Sequence, residues 1–309
     1  GTVPAPDPTD ESADGPTPDA TTPTGGAPEP EDADVVTFLQ VSDLHCNIGM
    51  APVIRRAAQL AGASAILDTG DTSINGTAVE RVCVEAFVDA APDGTEYVLT
   101  TGNHDSSQTA DQARAAGATV PGGDVVDVAG VRILGDRDAR ETRLGAGTVQ
   151  AGEEDPDDQA ERLATAACED DPDLLMIHTP RVGAAALSTG CVPLQISGHL
   201  HRRIGPVRSG LGTVYVSGTT AGAAEGQLTI GPLGGVAQMT LWRFDRTSRT
   251  WLDARVIVVT PDGTVEVGAA GRVPRPVPEQ PAGPVTVPED GTDGTSVVPQ
   301  LPTSSLDGT

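Results

Sequence analysis

The sequence has no lysine, few aromatic side chains and no long apolar run. All 19 basic residues are therefore arginine, and 44 acidic residues outnumber them to give a formal net charge of −25. General binding to nucleic acid or to an anionic membrane requires a basic face. With two tryptophans, two tyrosines and three phenylalanines, the chain also offers few platforms for stacking bases. The composition argues against general nucleic-acid binding, and we interpret the acidic excess as solubilising.

No run of 18 or more apolar residues occurs, so the sequence predicts no transmembrane segment in this chain. The chain starts at Gly1 with a segment rich in proline, threonine and acidic residues. Segments of this kind more often tether a domain outside a membrane than begin a cytoplasmic enzyme. We therefore expect an extracytoplasmic or secreted protein, with an upstream membrane anchor as one form of tether.

Proline and acidic residues are concentrated at the two ends of the chain. Residues 1–34 contain no aromatic and no basic residue, and residues 276–309 have the same character. Such segments cannot bury enough apolar surface to offset the entropy lost on ordering, so we predict a disordered acidic linker and a disordered proline-rich tail. The tails hold 9 and 5 of the acidic residues, which leaves 30 against 19 arginines in residues 35–275. These central residues are numerous enough for one substantial core.

The four cysteines, Cys46, Cys83, Cys168 and Cys191, lack the CxxC spacing of a zinc finger. An even number of cysteines in an exported domain allows three disulfide pairings. Cys168 falls in a predicted helix before one strand and Cys191 before the next strand, which favours that pair and leaves Cys46 with Cys83. Four reduced, buried cysteines are the alternative, and the sequence does not decide between the two.

The central residues alternate predicted strands and helices. Residues 35–41 form a short apolar strand of the kind that is buried on both faces, and apolar residues at helical spacing predict a helix over 51–61. A hairpin is predicted over 125–134 and an irregular acidic loop over 141–158. Because strand–helix alternation gives way to a β-meander, the sequence predicts an α/β fold, a two-sheet β-sandwich flanked by helices.

Polar residues follow several predicted strands at the points where these strands end, and all five histidines are among them. These residues are Asp43, His45, Asp71, Asn103, His104, Asp105, His178, His199 and His201. Active sites of layered α/β folds gather at the carboxyl ends of strands, so we expect these side chains to meet. A lone histidine is usually structural, but five at strand ends beside carboxylates and glycines are not a chance pattern.

Seven of these residues are of metal-ligand type and suffice for two ions. They are Asp43, His45, Asp71, Asn103, His178, His199 and His201. One carboxylate can bridge two cations, and Asp71, on a turn preceded by Gly70, is the natural bridge. Mixed imidazole and oxygen donors suit Mn, Fe or Zn better than Ca or Mg. A pair of cations about 3.5–4 Å apart can clamp a phosphate and generate a bridging hydroxide for in-line attack.

The order of the motifs Asp-x-His, Gly-Asp, Gly-Asn-His-Asp, a lone His and Gly-His-x-His resembles that of the calcineurin-like metallophosphoesterase superfamily. The resemblance implies one divalent or trivalent ion on Asp43, His45, Asp71 and His201, and a second on Asp71, Asn103, His178 and His199. It implies that His104 stabilises the transition-state oxygens or protonates the leaving alkoxide. Asp105 would orient His104; capping of the following helix is the alternative for Asp105.

A second similarity, over residues 128–133 and 216–222, is to actinobacterial members tethered to a membrane with the catalytic domain outside the cell. The catalytic domain would then be residues 35–275. Two departures narrow the subfamily. The second motif lacks the tyrosine ligand of purple acid phosphatases, and Asp105 stands where the protein Ser/Thr phosphatases have glutamate.

The resemblance therefore implies a dinuclear metal-dependent hydrolase of phosphodiesters or small phosphomonoesters. A nuclease on the same scaffold is disfavoured by the missing basic groove, and a catalytically silent surface-binding domain by the complete ligand set. Arg181, Arg202 and Arg203 follow ligand motifs and are candidates to contact the phosphoester, although solvated loop arginines are the simpler interpretation of each. Thr219, Thr220 and Gly222 either line the pocket mouth or form a turn. The natural substrate and the oligomeric state stay open.

Overall fold

Two β-sheets packed face to face, with helices against their outer faces, make up the described part of the chain. The structure is a computed structural model that describes residues 34–223, 231–275 and 283. The tails predicted to be disordered, 1–34 and 276–309, lie outside the described residues except for Asp34 and Gly283. The layers confirm the predicted α/β sandwich.

In chain order the strands are β1 (Val35–Val41), β2 (Ala65–Asp68), β3 (Glu96–Leu99), β4 (Val125–Val128), β5 (Val131–Gly135), β6 (Arg140–Arg143), β7 (Gly147–Gln150), β8 (Leu174–Met176), β9 (Leu194–Ser197), β10 (Ile204–Ser209), β11 (Gly212–Val216), β12 (Ala237–Asp245), β13 (Thr250–Val259), β14 (Val265–Val267) and β15 (Gly271–Arg272). The helices are α1 (Ala51–Ala61), α2 (Arg81–Val88), α3 (Ser107–Ala116), α4 (Pro156–Asp170) and α5 (Ala184–Thr189). Short 3₁₀ turns lie at Ile48–Met50, Ala78–Glu80 and Pro180–Gly183. Within the described ranges, every helix is too short or too polar to cross a bilayer.

The first sheet has the strand order β14-β13-β12-β1-β2-β3, with β15 also paired to β13. The second has the order β10-β11-β9-β8-β5-β4. Strands β1, β2 and β3 are parallel, and so are β5, β8, β9 and β11. Strands β6 and β7 form a separate two-stranded sheet. The predicted site residues all follow parallel strands, namely β1, β2, β3, β8 and β9.

Successive side chains of β1 point to opposite faces of the first sheet and pack in different layers. Phe38 lies between the sheets in a cluster with Trp242, whereas its neighbour Leu39 packs on the other face with Ile54 of α1. The period of two residues in a strand produces this division. Helices α4 and α5 cover the outer face of the second sheet. Trp242 and Trp251 are both buried in the cluster between the sheets.

Helix α1 and the β4–β5 hairpin occupy the residues predicted for them. The helix ends at Gly62, whose left-handed backbone (φ 59°) provides the cap. The irregular loop predicted over 141–158 is wrong, because this stretch contains most of β6, all of β7 and the start of α4. Strand β6 reads Arg-Glu-Thr-Arg. Hydrophobic periodicity therefore cannot reveal it.

Two disulfides, Cys46–Cys83 and Cys168–Cys191, connect the helical layers to the loops and strands. They confirm the pairing that the order of elements favours, and the alternative of four reduced cysteines is wrong. The bridged residues are 37 and 23 positions apart. Loop closure of this length stabilises a fold by about 3–4 kcal/mol for each bridge.

Candidate metal centre

Five loops that leave β1, β2, β3, β8 and β9 at their carboxyl ends meet at one edge of the two sheets. Backbone hydrogen bonds join the first two loops: the N–H of Asp43 donates to the carbonyl of Gly70 (2.9 Å), and that of His45 to the carbonyl of Asp71 (2.8 Å). Each loop therefore fixes its neighbour. The structure brings together all of the strand-end residues singled out in the sequence.

Six residues of these loops have a left-handed backbone although none is glycine. They are Asp43, His45, Cys46, Asp71, His199 and His201, with φ between 39° and 75°. This conformation costs a residue with a side chain roughly 1–2 kcal/mol. Such strain persists only where the surrounding structure holds it, and it is characteristic of functional sites.

Asp43, His45 and His201 form the first group of ligand-type atoms. The Nε2 atoms of His45 and His201 are 3.0 Å apart, and His201 Nε2 is 3.5 Å from Asp43 Oδ1. The Ser42 hydroxyl donates to Asp43 Oδ2 (2.6 Å), and the His199 N–H donates to Asp43 Oδ1 (3.0 Å). These donors fix the carboxylate, and sequence reasoning missed Ser42 because a serine beside Asp43 carries no motif signal.

Asp71, His178 and His199 form the second group, whose ligand-type atoms all lie within 4.8 Å of one another. His178 Nε2 is 3.2 Å from Asp71 Oδ2. Asn103 joins this group, because its Oδ1 lies 2.9 Å from His199 Nδ1. The four residues are those that the resemblance assigns to the second ion.

Asp71 connects the two groups. Its Oδ2 is 3.2 Å from His178 Nε2 and 3.8 Å from His45 Nε2, so a single oxygen faces one imidazole of each group. Its Oδ1 accepts a hydrogen bond from the His104 N–H (2.8 Å). This is the arrangement expected of a bridging carboxylate.

The ligand-type atoms are arranged for binding cations and not for hydrogen bonding to one another. His178 Nδ1 faces the Thr69 carbonyl (2.7 Å) and must donate its proton there, and His178 Nε2 has no hydrogen bond to any described residue. Two ligands about 2.1 Å from one ion in tetrahedral or octahedral geometry are about 3.0–3.4 Å apart. The pairs His45–His201, at 3.0 Å, and His178–Asp71, at 3.2 Å, lie in this range.

Electrostatics favour the metal-binding forms of His45 and Asp71. Burial lowers the pKa of His45 to about 4, although the carboxylates of Asp71 and Asp43 oppose the shift. Burial by itself would raise the pKa of Asp71, but the facing imidazoles of His178 and His45 hold it well below its ordinary value. Neutral imidazole and ionised carboxylate are the forms that coordinate a metal. At His178 burial lowers the pKa, but the carboxylates of Asp71 and Asp43 outweigh it and raise the pKa well above its ordinary value, so an ion would have to displace a proton from this imidazole.

Two glycines allow the backbone to approach the carboxylates. A Cβ on Gly102 would lie 2.2 Å from Asp71 Oδ1, and one on Gly198 would lie 1.8 Å from Ser42 Oγ and 2.8 Å from Asp43 Oδ2. Real Cβ atoms do not come so close to other heavy atoms. The third and last motifs therefore need glycine for space at the carboxylates.

His104 lies beside the first group, with its ring centroid 5.1 Å from that of His45. Its Nδ1 faces the Ile74 carbonyl at 2.8 Å and donates its proton there. The group that orients the ring is therefore a backbone carbonyl, and the predicted orientation by Asp105 is wrong. Sequence alone gives no signal for a backbone acceptor.

Asp105 instead ties the second loop to the third. Its carboxylate accepts hydrogen bonds from the N–H groups of Gly102 (2.9 Å), Thr72 (3.2 Å) and Ser73 (2.8 Å) and from the Ser73 hydroxyl (2.7 Å). The alternative role of helix cap is also wrong, since Ser106 caps α3. Asp105 thus supports the loops that carry Asp71 and Asn103.

A second buried carboxyl, Asp68, supports the same turn. It accepts hydrogen bonds from the Gly70 N–H (3.0 Å) and from the hydroxyls of Thr72 (2.8 Å) and Tyr97 (2.8 Å). Burial raises the pKa of Asp68 to about 7 in spite of these donors. Asp68 therefore braces the residues on both sides of Asp71.

Thr219 and Thr220 are buried and hold the first loop. Thr219 Oγ1 donates to the Asp43 carbonyl (2.9 Å), and Thr220 Oγ1 accepts from the Ser42 N–H (3.1 Å). The pocket-mouth interpretation is wrong, because both side chains are buried and neither lines the cleft beside Asn103 and His199.

A polar cleft opens beside Asn103 and His199. It has a volume of about 20 Å³ and is lined by these two side chains together with Arg140 and Arg181. A second cleft, of about 420 Å³, lies between the β6–β7 hairpin and the start of α4 and shares Arg140, Thr148 and Arg181 with the first. Arg181 pairs with Asp157 (3.3 Å). The smaller cleft adjoins the second group of ligand-type atoms.

A larger cavity, about 730 Å³, lies elsewhere, between α1 and the outer face of the first sheet. Its lining is mainly apolar and includes Leu60, Met239 and Val265, but none of the five histidines. Cavity size therefore does not mark the candidate site.

Comparison with known proteins identifies a family model, described as calcineurin-like phosphoesterase, that matches residues 36–203, just over half of the chain. No curated protein matches the sequence. Among solved structures, an archaeal phosphodiesterase aligns at 12% identity over 72% of this chain and all of its own (TM-score 0.44). A Mycoplasma pneumoniae phosphatase aligns at 11% over 73% of this chain and 94% of its own (TM-score 0.49). Chaetomium thermophilum Vps29 aligns at 14% over 77% and 100% (TM-score 0.40).

Proposed function

The chain belongs to the calcineurin-like phosphoesterase family and is a hydrolase of phosphoesters, and from that premise we propose a dinuclear metal-dependent enzyme that cleaves phosphodiesters or small phosphomonoesters. One observation carries the dinuclear proposal. Asp71 Oδ2 faces His178 of one ligand group and His45 of the other, at 3.2 and 3.8 Å.

In this proposal Asp43, His45, Asp71 and His201 hold one ion, and Asp71, Asn103, His178 and His199 hold the other. Two cations held by these residues would supply charge that stabilises the phosphoryl oxygens and would lower the pKa of a bound water. Mn, Fe and Zn are the metals that suit this mixture of imidazole and oxygen donors, and we propose Mn as the first to test. The protein supplies fixed ligands: Asp43 is held by Ser42, and His178 by the Thr69 carbonyl.

We assign His104 to the transition state. Its Nδ1 proton is committed to the Ile74 carbonyl, so the ring is fixed and Nε2 is the atom left for substrate. The proposed roles are stabilisation of the phosphoryl oxygens and protonation of the leaving alkoxide. General acid–base catalysis of this kind contributes about 10²–10⁴-fold to a rate.

We propose that the phosphoester enters through the polar cleft beside Asn103 and His199. The lining of this cleft contains Arg140, Thr148 and Arg181 but no Phe, Tyr or Trp, which favours a polar ester substituent over a stacked base. This supports a small phosphoester rather than a nucleic-acid strand. The complete ligand set argues against the alternative of a silent binding domain.

We also propose an extracytoplasmic location. Both disulfides support it, because structural disulfides persist in oxidising compartments and are rare in the cytosol of mesophiles.

The test compares hydrolysis of bis(p-nitrophenyl) phosphate and p-nitrophenyl phosphate by Mn-reconstituted protein, with chelated protein and His104→Ala as controls. We expect turnover that chelation abolishes and that His104→Ala lowers at least about 100-fold with metal content unchanged. Faster diester cleavage assigns a phosphodiesterase, and faster monoester cleavage a phosphatase. Protein that binds no metal would refute the proposal, and unchanged turnover in His104→Ala would refute the role of His104.

A further inference from the structure

The β6–β7 hairpin lies directly against the loop that carries Asn103 and His104. Thr142, in β6, makes two hydrogen bonds to Asn103: its N–H donates to the Asn103 carbonyl (2.6 Å), and its Oγ1 accepts from Asn103 Nδ2 (2.7 Å). The hairpin therefore holds both the backbone and the side chain of one candidate ligand.

Core packing does not account for this placement of the hairpin. Its two large apolar side chains, Leu144 and Val149, are 64% and 56% exposed. The contacts that dock it are polar and converge on the site: Arg143 donates to the carbonyls of Asn103 (3.4 Å), His104 (3.3 Å) and Asp105 (2.8 Å).

We infer that Thr142 is a positioning residue that aims the amide oxygen of Asn103 at the second ion. This inference rests on the proposed function. An amide presents an oxygen on one side and an NH₂ group on the other, and only the oxygen can bind a cation. Because the NH₂ group donates to Thr142 Oγ1, the oxygen faces His199 Nδ1, 2.9 Å away.

The Thr142 hydroxyl is suited to this task because it can accept from Asn103 while it bonds to a second hydroxyl. Thr142 Oγ1 is 2.8 Å from Thr148 Oγ1 in the facing strand β7, and either hydroxyl can be the donor of this bond. A hydroxyl oxygen has two lone pairs, so one remains for the Asn103 NH₂ group whichever threonine donates. Partners that orient a metal ligand in this way typically contribute about 10–100-fold to metal affinity.

The experiment titrates Mn²⁺ into wild-type protein and into Thr142→Val, which keeps the shape of the side chain and removes its hydroxyl. Calorimetry measures both affinities, and metal analysis after dialysis measures stoichiometry. We expect one of the two ions to bind Thr142→Val about 10–100-fold more weakly than it binds the wild type. The affinity of the other ion should be unchanged. Thr142→Ser, which keeps the hydroxyl, should restore wild-type binding.

The matched control is Thr165→Val, because the Thr165 hydroxyl donates to the Glu161 carbonyl within helix α4 and bonds to no other described residue. It should bind both ions as wild type does. Equal affinities in Thr142→Val and wild type would overturn the inference, and so would equal losses at both ions or failure of Thr142→Ser to restore binding. If Thr142→Val folds poorly, Thr142→Ala is titrated against the same criteria. Wild-type protein that binds fewer than two ions would instead overturn the proposed function.

Discussion

At the residue scale, the site depends on small groups that make room for charged ones. Gly198 and Gly102 lie against the carboxylates of Asp43 and Asp71, where a Cβ has no space. Neither carboxylate can move away freely, because Ser42 and His104 hold them by hydrogen bonds. A methyl group at either glycine would therefore displace a proposed metal ligand.

We predict that Gly198→Ala loses most of its Mn²⁺ affinity and about 1–3 kcal/mol of unfolding free energy, the usual range for overpacking. The reason is the 1.8 Å approach of the new Cβ to Ser42 Oγ. Mn²⁺ titration and chemical denaturation measure the two effects. Gly122→Ala is the control, since nothing lies within 4 Å of its Cβ position. A Gly198→Ala protein that matches this control in both measurements would show that the backbone adjusts.

At the element scale, one of the two disulfides reaches the site and the other does not. Cys46 directly follows His45, and its bridge to Cys83 ties the first loop to α2. Cys168 and Cys191 join α4 to the residues before β9, at the end of that strand away from His199. The first bridge therefore constrains a proposed ligand, and the second constrains only the fold.

We predict that Cys46→Ala/Cys83→Ala loses both stability, by about 3–4 kcal/mol, and Mn²⁺ affinity. The control Cys168→Ala/Cys191→Ala should lose similar stability and keep wild-type affinity, because its bridge lies away from the ligands. Denaturation and Mn²⁺ titration of both variants test this. Equal Mn²⁺ affinities in the two variants would mean that the backbone holds His45 without the bridge.

Sequence predicts the regular elements of this fold better than its polar ones. Helix α1 and the β4–β5 hairpin are correct because apolar periodicity or turn residues define them. Strand β6 is missed because its residues are polar and it is fixed by Thr142 and Arg143, which bond to a loop almost 40 residues earlier.

The candidate site divides in the same way. Side chains of ligand type are identified in the sequence by their chemistry and spacing, and the structure brings all of them together. The group that orients His104 was assigned wrongly because it is the Ile74 carbonyl, and any residue provides a carbonyl.

At the scale of the whole molecule, the candidate site joins the two sheets. Asp43, His45, Asp71 and Asn103 follow strands of the first sheet, whereas His178, His199 and His201 follow strands of the second. Each proposed ion takes ligands from both sheets. Bound metal would therefore hold the two layers together as well as bind substrate.

We predict that chelation lowers the unfolding temperature by about 10–20 °C relative to protein with Mn²⁺ at 100 times the dissociation constant of each of the two ions. Each ion at this concentration stabilises the folded state by about 2.7 kcal/mol, so the two together contribute about 5.4 kcal/mol, and a domain of this size shifts by about 2–4 °C for each kcal/mol. Differential scanning calorimetry with and without chelator measures the change, and re-addition of Mn²⁺ is the control. An unfolding temperature that does not depend on metal would contradict the cross-link.

The six residues with a left-handed backbone in these loops lower the stability of the fold, but several of them supply the proposed metal ligands. At Asp43, Asp71 and His201, glycine would relieve the backbone but would remove a ligand. Directed evolution for heat resistance in the presence of a chelator, without a demand for turnover, should therefore accumulate glycine at these positions. The resulting proteins would unfold at a higher temperature and would not hydrolyse phosphoesters. The order in which the positions change would show which loop has the most strained backbone.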